Sequence, residues 1–193
     1  MVFEKGYLGN GDYKSQINGK RNPIYDIWHG ILERCYHKNT IERFPTYKNC
    51  EVCDDWLNFQ NFAKWYEENY YSIPNERMCI DKDILYKHNK LYSSKTCCIV
   101  PNTINMILTK VDKIRGEYPI GVSYNKNDNK YMSKCKSEGK TVYLGEYTTP
   151  MEAFEVYKGL KEKEIHKVAD KYREYLPINV YDALYKYEVD IND

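Results

Sequence analysis

The chain has 193 residues, of which 42% are hydrophobic and 30% charged, a composition typical of a folded globular protein. It has no apolar run of about 18 residues and no apolar N-terminal segment of the secretory kind, which excludes a membrane span and predicts a cytoplasmic protein. The net charge of +1 excludes a protein that is basic over its whole surface, so any basic patch must be local.

The N-terminal part of the chain predicts two helices after a glycine-containing arm of about 20 residues. Asn22-Pro23 is a helix start, with asparagine as N-cap and proline at the first helical position. Apolar residues then recur at helical spacing to about His37. After a polar loop, Asp54 or Asp55 is expected to cap a second helix, and Pro74 ends that segment.

From Met78 the hydrophobic period changes, and the pattern predicts a strand–loop–strand–helix unit. MCIDKDIL is the first strand, YKHNKLYSSK the loop, TCCIV the return strand and PNTINMILTK the helix. The polar stretch at 109–117 is the candidate linker. We therefore expect one domain over 1–110, a second over 116–176 and a tail over 177–193.

The second domain is predicted to hold three strands and one long helix. PIGVSYNK, KYMSKCKS and KTVYLGEYT are strand segments joined by short turns. Thr149 and Glu152 form a capping box, with Pro150 at the first helical position. The helix ends at Leu176-Pro177, and the tail has room for one or two further helical turns. The predicted fold class is α+β.

This second domain resembles the Apetala/ethylene-response-factor type of DNA-binding domain over roughly 116–175. The residues that carry the resemblance follow one another in order: Gly121-Val122, Lys130-Tyr131, Gly139-Lys140, Val142-Tyr143-Leu144-Gly145, Tyr147, Glu152-Ala153 and Tyr157. The resemblance implies a three-stranded sheet that lies in the major groove of duplex DNA, with one helix behind it.

Period-two geometry assigns one set of strand residues to the outward face. These candidate DNA-binding residues are Ser123, Asn125, Lys134, Lys136, Thr141 and Tyr143. Lysine and asparagine suit phosphates and base edges, and tyrosine packs on sugars or bases. Between Lys110 and Tyr147 there are eight Lys/Arg against five Asp/Glu. The family typically has more arginine on these strands, where this sequence has lysine, serine and threonine. Lysine cannot copy the bidentate contact of arginine with guanine, so tight sequence specificity is not expected.

The first domain resembles phage and prophage proteins of the HNH-endonuclease-like, homing-endonuclease type over about 24–108. The segments are IYDIWHGILERCY, YKNCEVCDDWLNFQNFAKWY and IDKDILYKHNKLYSSKTCCIVPNTIN. The resemblance implies a nuclease site on the strand–loop–strand–helix unit. There a first-strand histidine acts as general base beside a divalent metal such as Mg²⁺.

This sequence departs from that pattern, because Asp81-Lys82-Asp83 stands where the histidine would be. The candidate catalytic residues are Asp81, Asp83, His88 and Asn89, with His88 as the replacement base. Asp83 and Asn105 are the candidate metal ligands. Each also has a structural interpretation: strand-end aspartates form turns, and a histidine in a polar loop is commonly just exposed.

The seven cysteines are odd in number and irregular in spacing, which favours free thiols. Cys50-x-x-Cys53 has zinc-ligand spacing, but Cys97 and Cys98 are adjacent and point to opposite faces of a strand, so core packing is the preferred interpretation.

Three hypotheses follow. The first is a phage-type, metal-dependent DNA endonuclease, directed to its site by the C-terminal sheet, in the cytoplasm of a bacterial host. The second is a degenerate, non-catalytic derivative that binds double-stranded DNA as a regulator. The third is an anti-defence (anti-CRISPR-like) inhibitor that binds a host or phage protein complex. The low net charge, the 21 tyrosines and the acidic tail suit this third class.

Overall fold

The computed structural model describes residues 1–109 and 116–191. The chain divides into two compact units, Met1–Val100 and Pro101–Asp193. Residues 110–115 of the linker predicted at 109–117 lie outside the described residues. Both helices and strands are present, and the α+β class is confirmed.

The first unit is built on helices. They are α1 (Pro23–Tyr36), α2 (Lys38–Arg43), α3 (Asp54–Leu57) and α4 (Phe59–Asn69). A single 3₁₀ turn, Pro45–Tyr47, follows α2. Asn22 caps α1 as predicted, by accepting from Ile24 N at 2.9 Å. The predicted second helix is divided instead, because Asn58 leaves helical geometry and caps α4 through Gln60 N.

The core of this unit is aromatic. Trp28, Trp56, Phe59 and Phe62 are all essentially inaccessible to solvent. The Trp28 indole N–H donates to the Trp56 carbonyl at 2.7 Å, and the rings of Trp56 and Phe62 meet edge to face at 5.1 Å. Burial of these rings removes apolar area from water and so helps to hold the helices together.

Six short strands complete the first unit. The pair β1 (Gln16–Ile17) and β2 (Lys20–Arg21) is antiparallel and lies in the segment predicted as a structureless arm. Strand β3 (Glu51–Val52) pairs in parallel with β5 (Leu91–Tyr92). Strand β4 (Met78–Asp81) pairs with β6 (Cys98–Pro101). The strand predicted for the segment MCIDKDIL thus ends earlier than expected, at Asp81.

The second unit begins with α5 (Asn102–Leu108). Its antiparallel sheet has the order β7 (Val122–Asn125), β8 (Lys130–Ser137), β9 (Lys140–Tyr147). Helix α6 (Pro150–Lys171) and helix α7 (Ile178–Tyr185) follow. The three predicted strands, the long helix and the Thr149/Glu152 capping box are confirmed, but the helix ends at Lys171, before the predicted Leu176.

Helix α6 covers one face of the sheet. Ser133 and Cys135 of β8 are buried beneath it, as are Ala153 and Tyr157 on the helix. The closest approach is at Gly121, where φ is +79° and an added Cβ would overlap the Tyr157 ring. At the far end of α6, the hydroxyls of Tyr181 and Tyr185 both donate to Asp170, which holds α7 against the helix.

None of the described helices combines the length and apolar character needed to cross a membrane.

We predict that Gly121→Ala destabilises the protein by about 2 kcal/mol or more, because the methyl group meets the Tyr157 ring and the backbone has a positive φ. Gly159→Ala is the matched control, since nothing lies within 4 Å of its added Cβ and it stands inside α6. The control should gain about 0.5–1 kcal/mol. Urea unfolding followed by circular dichroism checks both, and equal stabilities would contradict the close packing.

Candidate nucleic-acid interface

The two faces of the β7–β9 sheet differ in burial. Along β8, Ser133 and Cys135 point to the α6 side and are buried, whereas Lys134 and Lys136 are exposed. Burial raises the pKa of the Cys135 thiol, and the charge of Lys161 on α6 partly opposes that rise. One face therefore belongs to the core of the unit, and the other is open to solvent.

The strand register assembles the open face. Lys134 lies opposite Tyr143, and Lys136 lies opposite Thr141. On the other side of β8, Ser123 pairs with Met132 and Asn125 with Lys130. Directly paired residues share a face of the sheet, and alternate residues along a strand do so too. The structure thus brings all six predicted residues to one face, which we call the open face: Ser123, Asn125, Lys134, Lys136, Thr141 and Tyr143.

A β-bulge shapes this face. The register shifts between Ser133 and Lys134 and leaves Leu144 of β9 as the extra residue. The Leu144 carbonyl accepts the Tyr147 hydroxyl at 2.8 Å. Because of this extra residue, Tyr143 and Glu146 both belong to the open face although they are three apart in sequence. Bulges of this kind redirect side chains and increase strand twist.

The open face carries more positive than negative charge. Lys130, Lys134 and Lys136 lie on this face of β8, with Met132 between the first two, and no ion pair involves them among the residues that the structure describes. Alternate residues of a strand are about 6.6–6.8 Å apart, so Lys134 and Lys136 are neighbours and Lys130 stands about twice that distance from Lys134 along the same row. Glu146 is the acidic residue that the register places on this face.

Two polar residues of the open face are partly committed to local contacts. Asn125 donates to Asp128 Oδ2 at 2.5 Å and to Glu146 Oε1 at 3.2 Å, and its oxygen accepts from Asn127 N at 3.1 Å. Tyr143 is 54% exposed, and partial burial together with Glu146 raises the pKa of its phenol. Tyr143 is therefore a neutral stacking and hydrogen-bonding group at physiological pH.

Sequence reasoning missed Lys130, Met132 and Glu146. Lys130 and Met132 could have been predicted, because they lie four and two residues before Lys134 and therefore share its face of β8. Glu146 could not be placed in that way, because the bulge at Leu144 interrupts the alternation along β9.

In the HNH-like segment, Asp81 acts as a turn-forming residue. Its Oδ1 accepts from Asp83 N at 2.7 Å and from Ile84 N at 2.9 Å, immediately after β4 ends. Burial raises the pKa of this carboxyl, and the two backbone N–H groups oppose the rise. Asp81 therefore takes the structural role that the sequence left open.

Lys82, which lies between the two candidate aspartates, is only 7% exposed. Its ammonium donates to Asp83 Oδ2 at 2.6 Å and to the Asn89 carbonyl at 2.7 Å, and lies 5.9 Å from the centre of the Tyr92 ring. The Asn89 amide donates to the carbonyls of Lys82 and Leu91, at 2.9 and 2.7 Å. These contacts close the loop on itself and use the side chains that a nuclease would need.

The remaining candidates do not complete a metal site. His88 is exposed at a positive φ of +62°, and Asn105 belongs to α5 in the second unit, whereas Asp83 is in the first. Within residues 1–109 and 116–191, no group of three His, Cys, Asp or Glu side chains is placed to hold a metal. One oxygen of each carboxylate is used in the loop, Asp81 Oδ1 by backbone amides and Asp83 Oδ2 by Lys82.

All seven cysteines are free thiols, as predicted. Burial raises the pKa of Cys35 and of Cys97 to about 12, and that of Cys79 to about 11. Cys50 is buried and Cys53 partly buried in the aromatic core or against it. These thiols act as small apolar groups, because the thiolate that binds metals is disfavoured there.

Comparisons of the chain with protein-family models, with curated proteins and with solved structures find no match.

We predict different outcomes for two substitutions of Asp81. Asp81→Ala removes the acceptor of two backbone N–H groups and should lower the free energy of unfolding by about 1–3 kcal/mol. Asp81→Asn keeps an oxygen acceptor without the buried charge, so its stability at pH 7 should equal or exceed that of the wild type.

The pH dependence follows from the raised pKa. The stabilising contribution of wild-type Asp81 is complete below the ordinary value of 3.8 and is lost as pH rises through the higher folded value. Relative to Asp81→Asn, wild-type stability should therefore fall over that window, as measured by urea unfolding between about pH 3 and 8. An Asn variant as unstable as Asp81→Ala would contradict the turn-forming role.

Proposed function

We propose that this protein is a phage-type, non-catalytic DNA-binding protein that contacts duplex DNA through the open face of its three-stranded sheet. The observation that carries the proposal is the assembly of Lys130, Lys134 and Lys136 with Thr141 and Tyr143 on one exposed face. Helix α6 holds the other face, so the sheet is rigid before it meets a ligand.

The chemistry of the face fits a polyanion with stackable bases. A row of lysines neutralises phosphates, hydroxyl groups donate to phosphate and sugar oxygens, and the Tyr143 ring packs on a sugar or a base. Lysine does not form the planar bidentate contact with guanine that arginine forms. The affinity should accordingly come mainly from phosphate contacts, with modest sequence preference and strong dependence on salt.

In this proposal the HNH-like segment of the first unit is a degenerate nuclease fold that serves as scaffold. Lys82 satisfies Asp83, and the Asn89 side chain bonds to the backbone of its own loop. A general base needs a free acceptor within reach of its proton, and a metal ligand needs uncommitted oxygen atoms. In this loop Asp81 Oδ1 already accepts from two backbone N–H groups and Asp83 Oδ2 accepts from Lys82, which disfavours both roles.

The test is fluorescence anisotropy with a labelled duplex of about 25 base pairs, at salt concentrations from about 50 to 200 mM. Lys134→Ala/Lys136→Ala should weaken binding about 10- to 100-fold at low salt. It should also reduce the slope of log affinity against log salt by about two, one for each lost phosphate contact. The matched control is Lys163→Ala/Lys186→Ala, which removes the same charge from exposed positions outside the sheet and should bind like the wild type.

Three results would overturn the proposal. Equal weakening by both double variants would mean that only net charge matters. No binding by the wild type at low salt would exclude DNA as the ligand and favour a protein partner. Nicking of supercoiled plasmid in Mg²⁺ by the wild type, and not by Asp83→Ala, would restore the endonuclease hypothesis.

A further inference from the structure

A small exposed hairpin precedes the first helix. Strands β1 and β2 pair Gln16 with Arg21 and Ile17 with Lys20, and Asn18-Gly19 forms the turn between them. Both turn residues have positive φ, +53° and +75°, which is the two-residue turn whose twist matches a hairpin. All six residues are exposed.

A single buried residue fixes this hairpin to the first unit. Asn22, only 5% exposed, donates from its amide to the Lys14 carbonyl at 2.9 Å, and its backbone N–H donates to the Ser15 carbonyl at 3.0 Å. The same side chain caps α1 through Ile24 N. The base of the hairpin and the start of α1 are thus one hydrogen-bonded structure, so the hairpin is oriented rather than loose.

The two faces of the hairpin are used differently. Arg21 pairs with Asp26 of α1 at 2.8 Å, and its guanidinium lies 5.2 Å from the centre of the Tyr25 ring. The Gln16/Arg21 face therefore meets α1. Ile17 and Lys20 are paired with each other and occupy the opposite face. Ile17 is 53% exposed, and no ion pair involves Lys20 among the residues described in the structure.

The charged residues of the hairpin segment itself are all basic, and one of them, Arg21, is paired with Asp26 of α1. Residues 13–21 contain Lys14, Lys20 and Arg21 and no acidic residue. Beside these cations stand Gln16 and Asn18, whose amides can donate and accept hydrogen bonds in a groove. An isoleucine therefore stands exposed on a basic, narrow tip. It matches the combination by which β-ribbons place an apolar wedge in the minor groove of DNA, with lysine and arginine at the flanking phosphates.

We propose that the β1–β2 hairpin is a second DNA contact, in which Ile17 enters the minor groove against a base-pair step and Lys20 neutralises a neighbouring phosphate. This inference rests on the proposed DNA-binding function. It further specifies contact with the minor groove, insertion of Ile17 into that groove and local unstacking of the DNA. It assigns part of the affinity to the first unit, independently of the sheet.

The experiment compares four full-length proteins on the same duplex: wild type, Ile17→Thr/Lys20→Gln, the sheet variant Lys134→Ala/Lys136→Ala, and a control. Threonine is β-branched and the Asn18-Gly19 turn is kept, so the hairpin should still form. The control, Lys64→Gln/Met106→Ser, removes one exposed lysine and one exposed apolar side chain elsewhere. Circular dichroism and melting temperature establish that all four are folded.

We expect the hairpin variant to bind about tenfold more weakly than the control and to reduce the salt slope by about one. A duplex carrying 2-aminopurine at successive steps supplies the second readout. The wild type should raise its fluorescence at one step by unstacking the base, and Ile17→Thr/Lys20→Gln should not.

The outcomes separate the two proposals. If the wild type binds and the sheet variant is weakened, but the hairpin variant matches the control, the hairpin inference fails and the sheet interface stands. If the wild type does not bind at all, both fail. An affinity loss in the hairpin variant without any 2-aminopurine signal in the wild type would refute the wedge role of Ile17.

Discussion

The packing of α6 on one face of the three-stranded sheet is the constraint on which the proposed function depends. Gly121 permits the Tyr157 ring to approach the backbone, and Ser133 and Cys135 are buried beneath the helix. A three-stranded sheet with both faces in water has little to hold it together. Once the helix covers one face, the two-residue period of the strands places alternate side chains on the opposite face. This period alone is enough to expose the lysines to solvent.

The sequence was most informative where local rules act without competition. Asn22-Pro23 and the Thr149/Glu152 box mark helix starts, because their hydrogen bonds are made within a few residues. Period two likewise separated Ser133 from Lys134. It was insufficient at Leu144, where the bulge depends on pairing across strands. The hairpin at Gln16–Arg21 was also missed, because two-residue strands carry almost no hydrophobic alternation.

The candidate nuclease site could be listed from the sequence but not interpreted from it. Asp81, Asp83 and Asn89 are residue types that bind metals and also residue types that close loops. Only the partners decide between these roles, and the partners here are backbone groups and the buried Lys82. The Lys82 ammonium, bonded to Asp83 Oδ2 and to the Asn89 carbonyl, thus neutralises the loop from within.

The distribution of thiols between the units has a practical consequence. Six of the seven cysteines belong to the first unit, and Cys135 is alone in the second, where α6 covers it. A thiol reagent can react with Cys135 only when the helix leaves the sheet. The rate at which the adduct appears at Cys135, located in the intact chain by peptide mapping, therefore measures how often the second unit opens.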